Sequence, residues 1–219
     1  SITDWTVDIA SNGDGFKMIS GNKYELFNFE NSNGLSKFYK KYFEPFKIAN
    51  KFRNYDIIQI INPLLYPTVI NKLVMRKILK NNSLHVLTAC GDDLAIVNEY
   101  KNHFFDYYLY DYYKTPLNNY DTSRIQGILN KNSDTFLIDH VDLIIPSLYE
   151  YAVGYRNLDK ITHVVPFPIN IDKIEYHDNL VKDKVVFFHG LNRELAKGTP
   201  IISQALEKLK HDFPNDVEV

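Results

Sequence analysis

The sequence predicts an α/β fold, in which a parallel sheet carries helices on both faces and is followed by the first βα unit of a second, similar domain. The first observation is that short runs of apolar residues alternate with longer segments in which the apolar residues have helical spacing. The second is that the short runs are aliphatic or β-branched, as in strands covered by helices. The third is a hydrophobic content of 45% in 219 residues, which is enough for a substantial core.

The order of the elements follows from the apolar runs and the helical periodicities between them. The predicted strands are Val7–Ala10, Tyr24–Phe27, Asp56–Ile61, Leu84–Thr88, Asp142–Ile145, Thr162–Val165, Lys184–Phe188 and Asp216–Val219. The predicted helices are Leu35–Phe52, Thr68–Lys80, Asp93–Asn102, Asn118–Asn130, Leu148–Tyr155 and Pro200–Asp212. Pro45 is expected to kink or split the first helix, because proline lacks the amide proton that a helix interior needs. The arrangement as a whole is Rossmann-like.

A polar, proline-bearing stretch from Val165 to Lys184 separates two predicted strands and is typical of a connection between domains. We therefore predict an N-terminal Rossmann-like domain over residues 1–180 and the beginning of a second one over residues 181–219. One strand, one helix and the start of another strand cannot be stable alone, so the rest of this domain is expected beyond Val219.

Composition and charge exclude several classes of function. The net charge is −2, so no global positive field attracts a nucleic-acid backbone, and we expect no nucleic-acid partner. The single cysteine, Cys90, has no partner for an intrachain disulfide, which favours a reducing compartment. The sequence has no long apolar stretch and no signal-peptide pattern. These features predict a cytoplasmic protein.

The most informative motif is the segment at 184–214, which is a strand, a glycine-bearing loop and an amphipathic helix. The loop contains Gly190, Arg193, Lys197 and Gly198. Amide groups and the positive dipole at the start of the helix favour an anion, and the two cationic side chains neutralise charge on a leaving group. The residues therefore predict a site for a diphosphate, with solvated loop charges as the plainer alternative.

The loop HGLNRELAKGT resembles the G-R-x(n)-K-G loop that opens the C-terminal domain of retaining glycosyltransferases of family 4, which have the GT-B architecture. HVVPFPINID at 163–172 resembles the turn that precedes this loop in the family. Two residues separate Gly190 from Arg193, whereas the family usually has them adjacent. The resemblance covers the whole chain, as about the first half of such an enzyme.

The resemblance implies transfer of a sugar from a nucleoside diphosphate sugar, with retention of configuration and without a bound metal or other cofactor. It also implies a sugar, lipid-linked or protein acceptor, and a role in assembling bacterial polysaccharide or glycolipid. The acidic pair of the family belongs to the part of the C-terminal domain that this sequence does not include. The 219 residues alone are therefore expected to be inactive.

The loop after the strand at 84–88 is predicted to lie on the acceptor side, because ligands of open α/β sheets bind beyond the carboxyl ends of the strands. It contains Gly91, Asp92 and Asp93, and this G-D-D resembles a G-x-D form of the family's acceptor loop. The resemblance implies that Asp93 contacts the acceptor hydroxyl or the donor sugar, as the catalytic candidate. An N-cap without chemical function is the alternative.

Two further loops follow predicted strands. Gly13 and Gly15 in SNGDG are acceptor-side candidates through a loose resemblance to the family's N-terminal glycine loop, or else ordinary turn glycines. Ser147 and Glu150 have the spacing of a capping box, which favours a helix start over a substrate contact.

The histidines show no metal-binding spacing, so we expect no metal site. His85, His140 and His163 lie in or beside apolar runs, where a structural role is the default. His189 lies between the predicted strand and Gly190, where it either faces the cleft between the two predicted domains or has a packing role.

The predicted helix at 35–52 allows two interpretations. Its aromatic residues share one face and most of its lysines lie elsewhere, which is the pattern of a sheet-covering helix with a solvated lysine face. The same pattern is typical of a basic helix in peripheral contact with an anionic membrane, here the inner membrane.

The sequence as a whole thus indicates a glycosyltransferase that takes a nucleotide-sugar donor. The alternative is a non-catalytic Rossmann-like module that binds a nucleotide or a partner, because fold alone does not fix function. A nucleotide-sugar epimerase of the same architecture is a second alternative.

Overall fold

The computed structural model describes residues 4–11, 22–26, 32–61, 63, 65–91, 94–105, 133–176, 185–190 and 198–218. The chain divides into two compact units. The first comprises Ser1–Glu99 and Ser123–Pro166, and the second comprises Tyr100–Thr122 and Phe167–Val219. Parallel strands and helices in sequence alternation make the protein an α/β protein, as the sequence predicts.

The main sheet of the first unit contains strands β3 (Ile57–Ile61), β4 (Leu84–Ala89) and β5 (Leu143–Pro146), in that order and all parallel. Leu87 pairs with Ile60 on one side and Ile144 on the other, and all three side chains are buried. The middle strand is therefore at the centre of the core, which explains why its last four residues are buried on both faces.

Helix α3 (Thr68–Lys80) connects β3 to β4, and its observed bounds are the predicted ones. Its buried residues recur at helical spacing and end in a last turn that carries Lys77 and Lys80, which favour the negative end of the helix dipole. The buried residues are Ile70, Asn71, Val74, Met75, Ile78 and Leu79. This face packs α3 against the core, while Val69 and Leu73 remain exposed.

Three shorter helices precede or follow the strands of the main sheet. They are α4 (Leu94–Lys101) after β4, α5 (Ser133–His140) before β5, and α6 (Tyr149–Val153) after β5. Helix α5 packs against α3, and α6 packs against β5. The sequence did not predict α5, and the helix predicted at Asn118–Asn130 lies outside the described residues.

The predicted helix at 35–52 is two helices, α1 (Gly34–Tyr42) and α2 (Glu44–Ala49). Pro45 lies in the first turn of α2, where its missing amide proton costs nothing, so the predicted split is confirmed. Helix α2 buries Pro45, Ile48 and Ala49 and packs against α3, whereas α1 has no buried residue.

Strands β1 (Ile9–Ser11) and β2 (Asn22–Glu25) form a separate parallel pair. The pair is attached to the core by side chains. Tyr24 packs edge-on against Phe52 with 5.3 Å between ring centroids, and the Tyr55 hydroxyl donates a hydrogen bond to the Asp8 carboxylate. Leu26, directly after β2, is buried.

The chain returns along the outer edge of β5 after α6. The Ile144 amide donates to the Lys160 carbonyl, the Thr162 amide donates to the Ile144 carbonyl, and the Val165 amide donates to the Pro146 carbonyl. Only Ile161, among the described residues, forms a bridge with β5 here, so the strand predicted at Thr162–Val165 is reduced to an irregular parallel edge. Pro166 and Pro168 then prevent a regular ladder, because proline has no amide proton to donate.

The described part of the second unit contains β6 (Val185–Val186), α7 (Thr199–Asp212) and β7 (Val217–Glu218), with a 3₁₀ turn at Ile171–Lys173. Strands β6 and β7 are parallel and Val185 pairs with Val217. Helix α7 buries none of its residues, and Phe188 is 93% exposed. The predicted strand, helix and strand are confirmed, with strands shorter than predicted.

Candidate functional site

The carboxyl ends of β3, β4 and β5 lie at one edge of the first unit's sheet, because the three strands are parallel. This edge is where open α/β sheets bind ligands. The loops that leave it begin after Ile61, Ala89 and Pro146. Each is held by a specific hydrogen bond.

A buried asparagine on α3 fixes the loop after β3. The Asn71 side chain accepts a hydrogen bond from the Tyr66 amide at 3.1 Å and donates one to the Pro63 carbonyl at 3.0 Å. Asn71 is fully buried and Tyr66 is 4% exposed. Burial raises the pKa of the Tyr66 hydroxyl well above its ordinary value. The loop is thus anchored by the helix that follows it.

The end of β4 is tied to both neighbouring strands. The Gln59 side-chain amide donates to the Thr88 hydroxyl at 2.8 Å. From the β5 side, the Ser147 amide and hydroxyl both donate to the Ala89 carbonyl, at 3.0 and 3.1 Å. Ser147 is 1% exposed. These bonds fix the direction in which the chain leaves β4 toward Gly91.

The predicted capping box at Ser147 and Glu150 is wrong. The N-cap of α6 is Leu148, in extended conformation, and no side chain among the described residues caps this helix. The Ser147 hydroxyl donates to the Ala89 carbonyl at the end of β4 instead of accepting from the amides at the start of α6.

Gly91 lies two residues beyond β4, and a Cβ atom added to it would meet no described atom within 4 Å. Among the described residues, there is thus space for a side chain at this position. Asp92 and Asp93 lie outside the described residues, as do Gly13 and Gly15, so their predicted acceptor-side roles stay predictions. Cys90, between Ala89 and Gly91, is half-buried.

The second unit contains the strand, loop and helix predicted to bind a diphosphate. Gly198 is the N-cap of α7 and has φ 67°, a left-handed conformation that favours glycine over residues with a side chain. Pro200 lies in the first turn, and no described side chain caps the helix. The helix start thus presents its dipole without a competing oxygen from the described residues.

His189 and Thr199 meet at the helix start. The His189 Nε2 atom lies 2.9 Å from the Thr199 hydroxyl oxygen, which ties the end of β6 to the first residue of α7. Sequence reasoning placed His189 either in the cleft or in a packed position and did not single out Thr199. The sequence signal that could have indicated Thr199 was a hydroxyl residue directly after Gly198, at the start of a predicted helix. Gly190 is exposed, while Arg193 and Lys197 lie outside the described residues.

Two of the remaining histidines have structural contacts, as predicted. The His85 ring lies 2.8 Å from the Asp142 carboxylate through Nδ1 and 2.8 Å from the Leu79 carbonyl through Nε2. His140 stacks on Phe136 and contacts its carbonyl at 2.8 Å. Within the described ranges, no cluster of three or more His, Cys, Asp or Glu residues has the arrangement of a metal site.

None of the helices in the described ranges combines the length and the apolar composition needed to cross a bilayer. Comparison with models of known protein families, with characterised proteins and with solved structures gave no match.

Proposed function

We propose that the chain is the acceptor-side domain and the beginning of the donor-side domain of a retaining glycosyltransferase with a nucleoside diphosphate sugar as donor. The observation that supports this most directly is the start of α7. There a left-handed glycine, Gly198, precedes a helix N-terminus that no described side chain caps, in a loop whose sequence supplies Arg193 and Lys197.

The proposed role of this loop follows from the charge that develops during transfer. When the bond between the anomeric carbon and the diphosphate oxygen breaks, the electron pair stays on the diphosphate. Amides at the start of α7 and the cationic groups of Arg193 and Lys197 stabilise that charge. An acceptor oxygen forms the new bond to the anomeric carbon, and its proton passes to an oxygen of the departing diphosphate.

The carboxyl edge of the first unit's sheet is the proposed acceptor side. Gly91 has space for a side chain among the described residues, and Asp93, two residues further on, contacts the acceptor hydroxyl or the donor sugar. The buried hydrogen bonds of Asn71 and Ser147 hold the strand ends beside this loop. Fixed strand ends reduce the entropy lost when a substrate is positioned.

Thermal unfolding of the complete gene product with a panel of nucleotide sugars tests the donor site. A donor that binds the folded state raises the melting temperature. Replacing Arg193 and Lys197 together by alanine should weaken binding of the nucleotide sugar that raises the melting temperature at least about tenfold, because each substitution removes a charge-assisted contact. The matched control is Arg53→Ala with Lys80→Ala, two exposed cations of the first unit. Equal affinity in both double variants would remove the proposed site.

The role of Asp93 is tested separately by Asp93→Asn and Asp93→Ala in the complete gene product. Both should lower kcat. Preserved donor affinity would assign Asp93 to the acceptor, and lowered donor affinity would assign it to the donor sugar. Unchanged turnover in two stably folded variants would leave Asp93 as a helix cap. Tight nucleotide-sugar binding without turnover toward any sugar, lipid or protein acceptor would instead support the non-catalytic module.

A further inference from the structure

Helix α1 exposes a cluster of large apolar side chains, here called the aromatic face of α1. Its members are Leu35, Phe38, Tyr39 and Phe43, with exposed fractions of 87%, 55%, 43% and 54%. Phe43, which directly follows the helix, stacks on Tyr39, and its ring centroid lies 6.2 Å from that of Phe38. Contiguous exposed apolar surface of this kind marks a contact with another molecule or with a membrane.

The aromatic face is not the sheet-covering face that the sequence also allowed. Helix α1 has no buried residue, whereas α2 buries Pro45, Ile48 and Ala49 and provides the packing against α3. Helix α1 is therefore carried on the surface by α2. Its start is fixed by Asn33, whose side chain accepts a hydrogen bond from the Ser36 amide at 3.1 Å.

The charges of α1 are all positive. Lys37, Lys40 and Lys41 lie outside the arc of about 140° formed by the apolar positions when 3.6 residues make one turn. The helix contains no acidic residue, and the nearest described acid in the chain, Glu44, begins α2. A basic border around an exposed aromatic stripe distinguishes this helix within a chain whose net charge is −2.

Two lysines also contact the aromatic rings. The Lys47 ammonium lies 5.2 Å from the centre of the Tyr39 ring, and the Lys41 ammonium lies 5.4 Å from that of Tyr42. Interaction with the Tyr39 side chain raises the pKa of Lys47. The ammonium groups of these two lysines thus lie beside the exposed apolar surface.

We propose that α1 lies in the interface of an anionic lipid bilayer, with its aromatic face in the headgroup and upper acyl region and its lysines at the lipid phosphates. Amphipathic helices with aromatic and leucine residues on one face and lysines on the other bind in this way. Tyrosine adds a polar tip that suits the headgroup level. The proposal does not depend on the donor site, because all its residues belong to the first unit.

The charge contribution is tested by sedimentation with two kinds of vesicle, phosphatidylcholine alone and phosphatidylcholine mixed with phosphatidylglycerol. The whole chain should bind the mixed vesicles at low salt and be released at high salt, because salt shortens the range of the attraction. Lys37→Glu with Lys41→Glu should weaken binding at least about tenfold. Lys208→Glu with Lys210→Glu, which changes two exposed lysines of α7 and the same net charge, should leave binding within about twofold of the parent.

The apolar contribution is tested with Leu35→Ser and Phe38→Ser together. The matched control is Val69→Ser with Leu73→Ser, two exposed residues of α3 with exposed fractions of 81% and 52%. Only the α1 variant should lose vesicle binding. In a Trp5→Phe background, which removes the single tryptophan of the sequence, Phe38→Trp should shift its emission to shorter wavelength on anionic vesicles.

Several results would overturn the proposal. These are no sedimentation with anionic vesicles at low salt, equal losses in the α1 and control variants, and no emission shift from Phe38→Trp on vesicles that bind the protein. A change from dimer to monomer in Leu35→Ser with Phe38→Ser, with vesicle binding unchanged, would assign the aromatic face to contact between copies. Circular dichroism of each variant separates loss of binding from loss of fold.

Discussion

Asn71 is a polar side chain in a position with no access to water, and both of its hydrogen bonds hold the loop after β3. Asn71→Ala should lower the free energy of unfolding by about 2 to 3 kcal/mol, because the buried Tyr66 amide and Pro63 carbonyl lose their partner. Urea denaturation measures this. Asn98→Ala, on the exposed side of α4, should change stability by less than about 0.5 kcal/mol. Similar losses in the two variants would contradict the anchoring role.

Tyr66 makes stability depend on alkaline pH. Burial raises the pKa of its hydroxyl above the ordinary value of 10.0, so the folded protein keeps a proton that the unfolded chain loses. The free energy of unfolding should therefore be constant with respect to this group below about pH 9 and fall as the pH rises beyond about 10. Urea denaturation at about pH 8 and about pH 11 measures the fall.

Tyr66→Phe should remove part of that fall. A part remains, because burial and hydrogen bonds with Asp8 and Tyr24 also raise the pKa of Tyr55. Tyr149→Phe is the matched control, since Tyr149 is 71% exposed, and it should leave the pH dependence unchanged. An unaltered fall in Tyr66→Phe would show that Tyr66 ionises equally in the folded and unfolded states.

Individual site residues are only partly predictable from sequence. The helix start after Gly198 was predicted, but the left-handed conformation of Gly198 itself was not. The helical spacing of Ile70, Val74 and Ile78 places Asn71 on the buried face of α3, but the hydrogen-bond partners of a polar side chain depend on how the chain folds around it. Ser147 misled the prediction for the same reason, since its partner, Ala89, belongs to another strand.

At the level of elements, Gly154 allows the close approach of the turn after α6 to α4. A Cβ atom at this position would lie 2.9 Å from the Ala95 carbonyl carbon and 3.0 Å from the Ile96 side chain. The same contact brings Arg156 within 2.9 Å of Glu99. Gly154→Ala should therefore destabilise the protein by about 1 to 3 kcal/mol through overpacking.

Thermal or urea unfolding measures the effect of Gly154→Ala, with Gly34→Ala as the comparison. Gly34 lies at the start of α1 and a Cβ atom there would meet nothing within 4 Å. That variant should be neutral or slightly stabilising, because alanine has the higher helix propensity. A loss in Gly34→Ala as large as in Gly154→Ala would show that glycine matters here for reasons other than space.

Elements with strong periodicity were predicted well, and those shaped by distant contacts were not. Helix α3 has its predicted bounds because its buried positions follow a regular helical stripe over thirteen residues. Helix α5 escaped prediction because it is short and its buried residues, Phe136 and Leu137, are adjacent rather than spaced by a turn. Such a helix is stabilised by packing, here against α3, more than by its own propensity.

For the whole molecule, the described part of the second unit has too little buried surface to be stable alone. Helix α7 buries nothing, and Val185, Val186 and Phe188 are exposed by 57%, 53% and 93%. A fragment of residues 181–219 should therefore show no cooperative thermal transition, because a two-stranded sheet with one helix is marginal in water. Scanning calorimetry of this fragment and of residues 1–180 checks it. A sharp transition in the small fragment would contradict the prediction that these residues cannot be stable alone.

The α/β class of the molecule was predictable because it depends on the order of elements, which the apolar periodicity records. The residues that carry out the chemistry were harder to predict from the sequence. The catalytic and diphosphate candidates Asp93, Arg193 and Lys197 lie outside the described residues, and their roles stay predictions. The predicted boundary near residue 180 also stays a prediction.

The irregular segment along β5 has a consequence for behaviour at high concentration. An open strand edge is a template on which a second molecule can add its own strand, and LIIP is the kind of apolar run that promotes such growth. Here the edge groups of Ile144 and Pro146 are already occupied by the same chain. Pro166 and Pro168 have no amide proton, so they cannot donate hydrogen bonds to a strand of a second molecule. This side of the sheet is thereby closed to amyloid-like stacking.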